Sequence, residues 1–306
     1  MKSYLFSLLL LIGMQGIFAQ DDLLDLLDAE EEPRTDYTIA TFKTVRIING
    51  HSIEMPAPGV MQMIISHRFG RLNGGLYELY GLDQANIRIG LEQGITPWLT
   101  IGAGRSNIKK TYDGFVKWKL LRQSTGARKM PITLAGQSTA AVNTLRTASL
   151  GLTIPEENFK RAYRYSYVHQ LLIARKFSER LSVQIMPTVV HRNLVPTAAE
   201  SNVVLAGGIG GRIKLTRSLT LNAEYYYVLP DQLSDEFRNY LGVGIDIETG
   251  GHVFQLVFSN TRSMTDNLFL TETDGDWLAG DIHFGFNVMR VFTTANKWTQ
   301  KYQGKF

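Results

Sequence analysis

The 306-residue chain contains no cysteine. That excludes a disulfide framework, and it excludes the lipid-modified cysteine that tethers a lipoprotein, so an exported form must hold its place by other means. Long apolar runs are missing too. The apolar stretch from Tyr4 to about Ile12 follows Lys2 and exits through Ile17-Phe18-Ala19, which is the layout of a secretory signal peptide cleaved after Ala19. It falls well short of the roughly 18 to 20 residues of a spanning helix. Further on, Arg, Lys, Asp or Glu recurs within each apolar stretch, which argues against helical membrane spans. Acid is scarce in the body of the chain. Eight acidic residues lie between Gln20 and Asp36 with Arg34 as the one base; apart from these and Lys2, thirty basic residues face twenty acidic ones, a formal +10. A modestly basic body follows a strongly acidic leader.

What the chain has in abundance is period-two alternation, the mark of strands with one apolar face. Ile87, Ile89 and Leu91 oppose Arg88, Gly90, Glu92 and Gly94; Val116, Trp118 and Leu120 oppose Lys117 and Lys119. Leu205, Ile209 and Ile213 oppose Gly208, Gly210, Arg212 and Lys214; Leu221, Ala223 and Tyr225 oppose Asn222 and Glu224; Leu241, Val243, Ile245 and Ile247 oppose Gly242, Gly244, Asp246 and Glu248. Strands are expected over 58–69, 86–96, 99–106, 114–122, 130–143, 165–177, 181–191, 202–215, 219–229, 239–248, 252–260 and 281–293. That makes twelve, or fourteen if Thr41 to Ile48 contributes. A short helical turn is expected around Leu76 to Leu82.

The connections alternate in length. Tight turns at 96–98, 178–180, 216–218 and 249–251 interleave with polar loops at 70–85, 105–113, 146–164, 192–201, 230–238 and 261–280, as in bacterial transmembrane barrels with short periplasmic turns. A soluble barrel alternates equally well with its apolar face inward. Loop asymmetry, the lack of helices to cover the apolar faces, and ring residues near strand ends (Trp98, Tyr112, Tyr165, Tyr227, Phe292) favour the lipid-facing arrangement. The expected fold is therefore an all-β, transmembrane, antiparallel up-and-down β-barrel in the bacterial outer membrane. Its organisation would be a signal peptide (1–19), an acidic leader forming a plug or an extra strand (20–57), the barrel (58–293) and a periplasmic tail (294–306).

Thr41-Phe-Lys-Thr-Val-Arg-Ile-Ile-Asn-Gly-His-Ser-Ile-Glu54, followed by Ile65-Ser-His-Arg-Phe-Gly-Arg-Leu-Asn-Gly-Gly75, Tyr77-Glu-Leu-Tyr-Gly-Leu-Asp-Gln-Ala85, Gly104-Arg-Ser106 and Lys109-Lys-Thr-Tyr-Asp-Gly-Phe115, resembles an uncharacterised family of bacterial outer-membrane barrel proteins. The resemblance is dense from about 40 to 150 and implies location and fold. It supplies no active-site residues.

The chemistry in the sequence is sparse. Six histidines are scattered without zinc-site spacing, so no metal and no cofactor is expected. Ser66 and His67 are chain neighbours on a strand and point to opposite faces, which speaks against a hydrogen-bonded catalytic dyad. His67 and the nearby Arg71-Leu-Asn-Gly-Gly75 read more simply as a strand end and a glycine turn than as a ligand site. The residues expected to line the lumen are Arg88, Glu92, Lys117, Lys119, Arg212, Lys214, Glu224 and Asp246, with the acids paired to Arg88, Arg212 and Lys214. Inward bases would favour anions, whereas loop bases (Lys109, Lys110, Arg161, Arg164) would meet lipopolysaccharide phosphates. Many expected inward positions are glycine, leaving space for water, a loop or the leader. A passive or weakly selective pore for small solutes, anionic ones included, is the first functional expectation. A non-conducting scaffold that binds a partner is the second, and a membrane hydrolase a distant third. The expected partners are outer-membrane lipid, lipopolysaccharide and a periplasmic protein gripping Asp21 to Pro33; nucleic acid is not among them.

Overall fold

The computed structural model describes residues 34–150, 158–197 and 200–294. The signal peptide, the leader up to Pro33 and the tail beyond 294 lie outside the described residues. Fourteen strands are formed among them: β1 (Thr35–Tyr37), β2 (Val60–Arg71), β3 (Ala85–Thr96), β4 (Leu99–Ser106), β5 (Thr111–Leu121), β6 (Ser124–Gly126), β7 (Thr133–Asn143), β8 (Tyr165–Lys176), β9 (Leu181–Arg192), β10 (Val203–Lys214), β11 (Leu219–Val228), β12 (Tyr240–Thr249), β13 (His252–Ser259) and β14 (His283–Thr293). β1 and β6 make a two-stranded antiparallel sheet of their own.

The other twelve close into a barrel. Each pairs antiparallel with its neighbour along the chain, and β14 pairs with β2 to remove the last free edge. Closure matters because hydrocarbon offers nothing to an unpaired backbone N–H or C=O. The alternation read from the sequence decides the two faces. In β3, Ile87, Ile89 and Leu91 project outward at 38, 46 and 44% exposure, while Arg88 and Glu92 are buried inside. The same division holds around the wall, with Ile101, Val116, Ile185, Leu205, Ile209 and Phe258 outside.

Two expectations about local structure are corrected. The turn of helix at Leu76–Leu82 is a longer and irregular 3-10 segment, Leu72–Gly81, with Leu79 and Tyr80 in left-handed conformations. A true helix, α1 (Asp266–Thr271), sits inside the loop between β13 and β14. It is too short to show a period, and Leu268, Phe269 and Leu270 are all buried in succession, so no polar face marks it in the sequence.

Thr41–Ile48 adds no barrel strand. The Thr38 N–H donates to the Gln123 carbonyl (2.8 Å), and the Thr294 N–H donates to that of Gly59 (2.8 Å), so residues 38 and 59 both sit at the rim of short turns. Between them the chain runs up the lumen and back as a hairpin. Arg46 bridges to His51, and the Ile47 N–H donates to the Gly50 carbonyl (2.9 Å) at the tip. Every residue from Thr41 to Ile53 except Lys43 is buried. The segment leaves no strand ladder because side chains of the lumen wall, and not a neighbouring strand, take up its backbone groups.

Candidate functional site: the filled lumen

The inward positions of the strands converge on the hairpin from two sides. On the side of β3, β5 and β7 the contacts are charged. Arg46 Nε lies 3.2 Å from Glu92 Oε1, and its Nη1 lies 3.4 Å from Asp266 Oδ1 on α1. The guanidinium rests over the Phe115 ring, and His51 meets the same ring edge-on with centroids 4.5 Å apart. Lys117 Nζ donates to the carbonyls of Ser52 (3.1 Å) and Glu54 (3.0 Å). Asp266 also accepts from Thr139 Oγ1 (2.8 Å). Buried charges persist only where partners replace lost hydration, and here each is engaged.

Two of these groups lie off the membrane-spanning strands, and their protonation follows from their surroundings. Burial, then the Arg46 charge, pulls His51 well below the ordinary imidazole value, although Asp266, with Oδ2 3.4 Å from Nε2, pulls the other way. Burial pushes Asp266 up, but His51, Arg46 and Thr139 outweigh it and hold the carboxyl well below the usual carboxylate range.

On the side of β9 to β13 the contacts are mostly apolar. Ile47 and Ile48 join Met186, Val190, Val204, Tyr226, Tyr240, Phe269 and Leu270 in one buried cluster. Inward glycines make the room: a Cβ on Gly210 would lie 2.4 Å from Ile47 Cδ1, and one on Gly242 would lie 3.3 Å from Ile48 Cγ2. The space expected at the inward glycines is thus taken by the hairpin at Gly210 and shared between the Tyr240 ring and the hairpin at Gly242.

The tip is held by a single carboxylate. Glu224 accepts the backbone N–H groups of Ile48 (3.2 Å), Asn49 (2.6 Å) and Gly50 (3.1 Å) and the Tyr240 hydroxyl (2.8 Å). A Cβ on Gly50 would lie 2.6 Å from Tyr226 Oη, so only glycine fits this turn. Arg68 Nη2 donates to Asn49 Oδ1 (2.8 Å), Gln255 Nε2 to the Ile47 carbonyl (2.7 Å), Asn287 Nδ2 to that of Ile48 (3.2 Å) and Gln184 Nε2 to that of His51 (2.7 Å). From the opposite rim, the loop carrying α1 descends onto the tip, and Asn49 Nδ2 donates to the Ser263 carbonyl (3.1 Å).

Of the expected lumen residues, Arg88, Glu92, Lys117, Arg212, Glu224 and Asp246 are buried inside, while Lys119 and Lys214 are half-buried toward the short-turn end of their strands. The expected pairing of acids with Arg88, Arg212 and Lys214 is not what forms. Arg88 binds Asp113 through two nitrogens. Glu92 takes Arg46, Glu224 takes the tip, and Asp246 accepts from Gln255 (2.6 Å). Arg212 Nη1 donates to the Ala40 carbonyl (2.6 Å). Alternation reveals which face a side chain occupies, not what fills the space in front of it. Two of the loop bases are also engaged within the protein, Lys109 by Glu272 and Arg164 by the Asn143 carbonyl (3.1 Å).

Arg46, Asn49, Gly50, His51, Arg68, Asp113 and Asp266 were not among the candidates. A signal existed for the first four: Val45-Arg-Ile-Ile-Asn-Gly-His-Ser-Ile53 places an Asn-Gly turn pair between Ile47-Ile48 and Ile53, a hairpin pattern. Ser66 is buried and faces inward, while His67 stacks outside on Phe286 at 5.1 Å, so they lie on opposite faces. Among the described residues no group of three His, Asp or Glu side chains is placed to hold a metal ion.

A closed twelve-strand barrel with an apolar outer wall and an interior filled by its own chain defines the class: a plugged membrane β-barrel of the bacterial outer membrane. The chain belongs to the family described as membrane bound beta barrel domain (DUF5777), whose model matches residues 42–292 and so takes in the hairpin with the wall. Solved structures with a similar course of the chain include the NanC porin (7% identity, TM-score 0.47, covering 76% of this chain and 100% of that one). The KdgM porin (8%, 0.42, 76% and 99%) and Omp33 of Acinetobacter baumannii (8%, 0.39, 76% and 97%) are also similar. No curated protein sequence matches.

Proposed function

We propose that the protein is an outer-membrane channel for small solutes that its own N-terminal hairpin holds shut. The observation that carries this reading is the hairpin's path: both of its ends lie at the short-turn rim, so it can be withdrawn toward the periplasm without threading the wall. Its fastenings on the charged side and at the tip are hydrogen bonds and ion pairs, which water can replace once an opening starts. With the hairpin out, the inward wall presents Arg68, Arg88, Lys117, Arg192 and Arg212 against Glu92, Asp113, Glu224 and Asp246. Lys119 and Lys214 add to the bases at the periplasmic mouth, and such a lumen favours anions mildly. The acidic leader, Asp21 to Pro33, is a natural handle for a periplasmic partner.

The test is single-channel recording of the intact protein and of a form lacking residues 41–57. The intact protein should be closed most of the time and the deletion form open with a modest anion preference. Steady conductance of the intact protein at the level of the deletion form would overturn the reading. The apolar packing of Ile47 and Ile48 favours a second reading, a permanently filled scaffold; in that case the deletion form would remain closed or fail to fold.

A further inference from the structure

A loop in water ordinarily turns its charges out and its large apolar side chains in. The segment between β2 and β3 does the reverse. Leu76, Tyr77, Leu79, Tyr80 and Leu82 are all exposed, Leu76 and Tyr77 to 75 and 96%, and no base stands between Leu72 and Ala85. Glu78, in their midst, is half-buried against Gly74, where a Cβ would strike its carboxylate. Leu79 and Tyr80 hold left-handed conformations, which strain bulky residues and persist only where the surroundings enforce them. The base of the segment is pinned. The Leu72 N–H donates to the Ile282 carbonyl (2.8 Å), Asn73 Nδ2 donates to Asp281 Oδ1 (2.7 Å), and Arg71 holds both Asp274 (3.0 Å) and Asp281 (3.2 Å). The loop gripped in this way adds Leu278, 98% exposed. Single exposed leucines need no explanation, but a group of this size marks a surface that meets protein or membrane.

What covers this group follows from what lies below it. The segment rises from the outer ends of β2 and β3, where Phe69 and Ile87 face outward. Phe69 stacks on Phe284 with centroids 5.8 Å apart, and Phe284 meets Phe258 at 5.4 Å. The apolar surface of the lipid-facing wall thus continues into the segment. We propose that the apolar side chains of residues 76–82, with Leu278, lie in the outer leaflet at the boundary of acyl chains and headgroups and anchor the outer loops to the membrane. Leucine gains there by leaving water, and tyrosine sets its ring among the chains with its hydroxyl at the headgroups. Without a base in the segment, the hold is apolar and is no grip on phosphate. The anchor is independent of whether the lumen opens.

The natural absence of cysteine allows a nitroxide to be placed at one position at a time. Tyr77→Cys and Leu278→Cys, labelled in the full chain and reconstituted into palmitoyl-oleoyl phosphatidylcholine vesicles, are compared with two standards. These are Ile89→Cys on the lipid-facing wall and Glu236→Cys at an exposed position of another outer loop. The ratio of collisions with oxygen, which prefers lipid, to collisions with a water-soluble nickel complex should approach that at Ile89 and exceed that at Glu236 by about threefold or more. Adding Leu76→Ser and Tyr80→Ser should lower the ratio at Tyr77→Cys toward the Glu236 standard, with unchanged circular dichroism. A ratio equal to the Glu236 standard at both Tyr77 and Leu278 would overturn the proposal. So would low collision rates with both reagents, because in such vesicles they would place a second copy of the chain over the patch. An unchanged ratio in the serine variant would refute the anchoring role of Leu76 and Tyr80.

Discussion

The two halves of the lumen wall hold the same hairpin by different physics. Around β3, β5 and β7 the grip is electrostatic: Arg46, His51 and the backbone of residues 52 and 54 meet Glu92, Asp266, Phe115 and Lys117. Around β9 to β13 it is packing, with Ile47 and Ile48 seated over glycines and among Met186, Val190, Tyr226 and Tyr240. Packing is paid back only by close contact and is lost once the hairpin shifts. Charges tolerate displacement better, because water takes over their solvation. On the shut-channel proposal, an opening would begin on the charged side, and the apolar side would set how completely the closed state returns.

The difference can be broken most severely at Arg46. Arg46→Leu leaves Glu92 and Asp266 buried without their base and should weaken hairpin seating by about 3–5 kcal/mol, seen as a sharp rise in open time. Adding Glu92→Met should recover part of the loss, since replacing both partners is far less costly than orphaning one. On the apolar side, Ile48→Ala should cost about 2–4 kcal/mol through lost burial and the cavity left behind, with denaturant unfolding of the hairpin as the measurement and no recovery from charge changes elsewhere. At the tip, Glu224→Gln keeps the shape but turns an amide donor toward N–H groups; a loss of about 1–3 kcal/mol should appear as faster hydrogen exchange at Asn49 and Gly50.

The smallest effect should come from acidification. The seated His51 resists protonation, so its folded pKa lies below the free value of about 6.5. Between those two values the displaced hairpin takes up a proton that the seated one does not, and seating weakens as pH falls, by at most about 1.4 kcal/mol per unit. Above the free value the effect is absent. Asp266, held low, remains ionised throughout this window. Open time should therefore rise from pH 7 to pH 5 in the intact protein, and His51→Gln should flatten the response.

The wall of the barrel was legible from the sequence because lipid imposes a strict rule on alternate residues: Ile87 to Glu92 and Ile209 to Arg212 show their faces without knowledge of any contact. The twelve barrel strands and their order followed from that rule and from turn lengths. The interior obeys no such rule. Glu224 looks like any inward acid until three N–H groups of residues 48–50 are placed against it, and Asp266 looks like a loop residue until α1 descends onto Arg46. Both contacts join parts of the chain more than 170 residues apart. The basic excess and the inward glycines are explained in part by the same missing element, since Lys117, Arg212, Gly210 and Gly242 all face the hairpin.

The central claim, that the hairpin closes the lumen, is tested most directly by labelling a single cysteine, which the natural absence of cysteine makes unambiguous. Ile48→Cys should react with a charged, membrane-impermeant maleimide far more slowly than Ile39→Cys, a position 67% exposed at the periplasmic rim, and adding Arg46→Leu should accelerate the buried site. Reaction of Ile48→Cys at the rate of Ile39→Cys in an otherwise unaltered protein would contradict it.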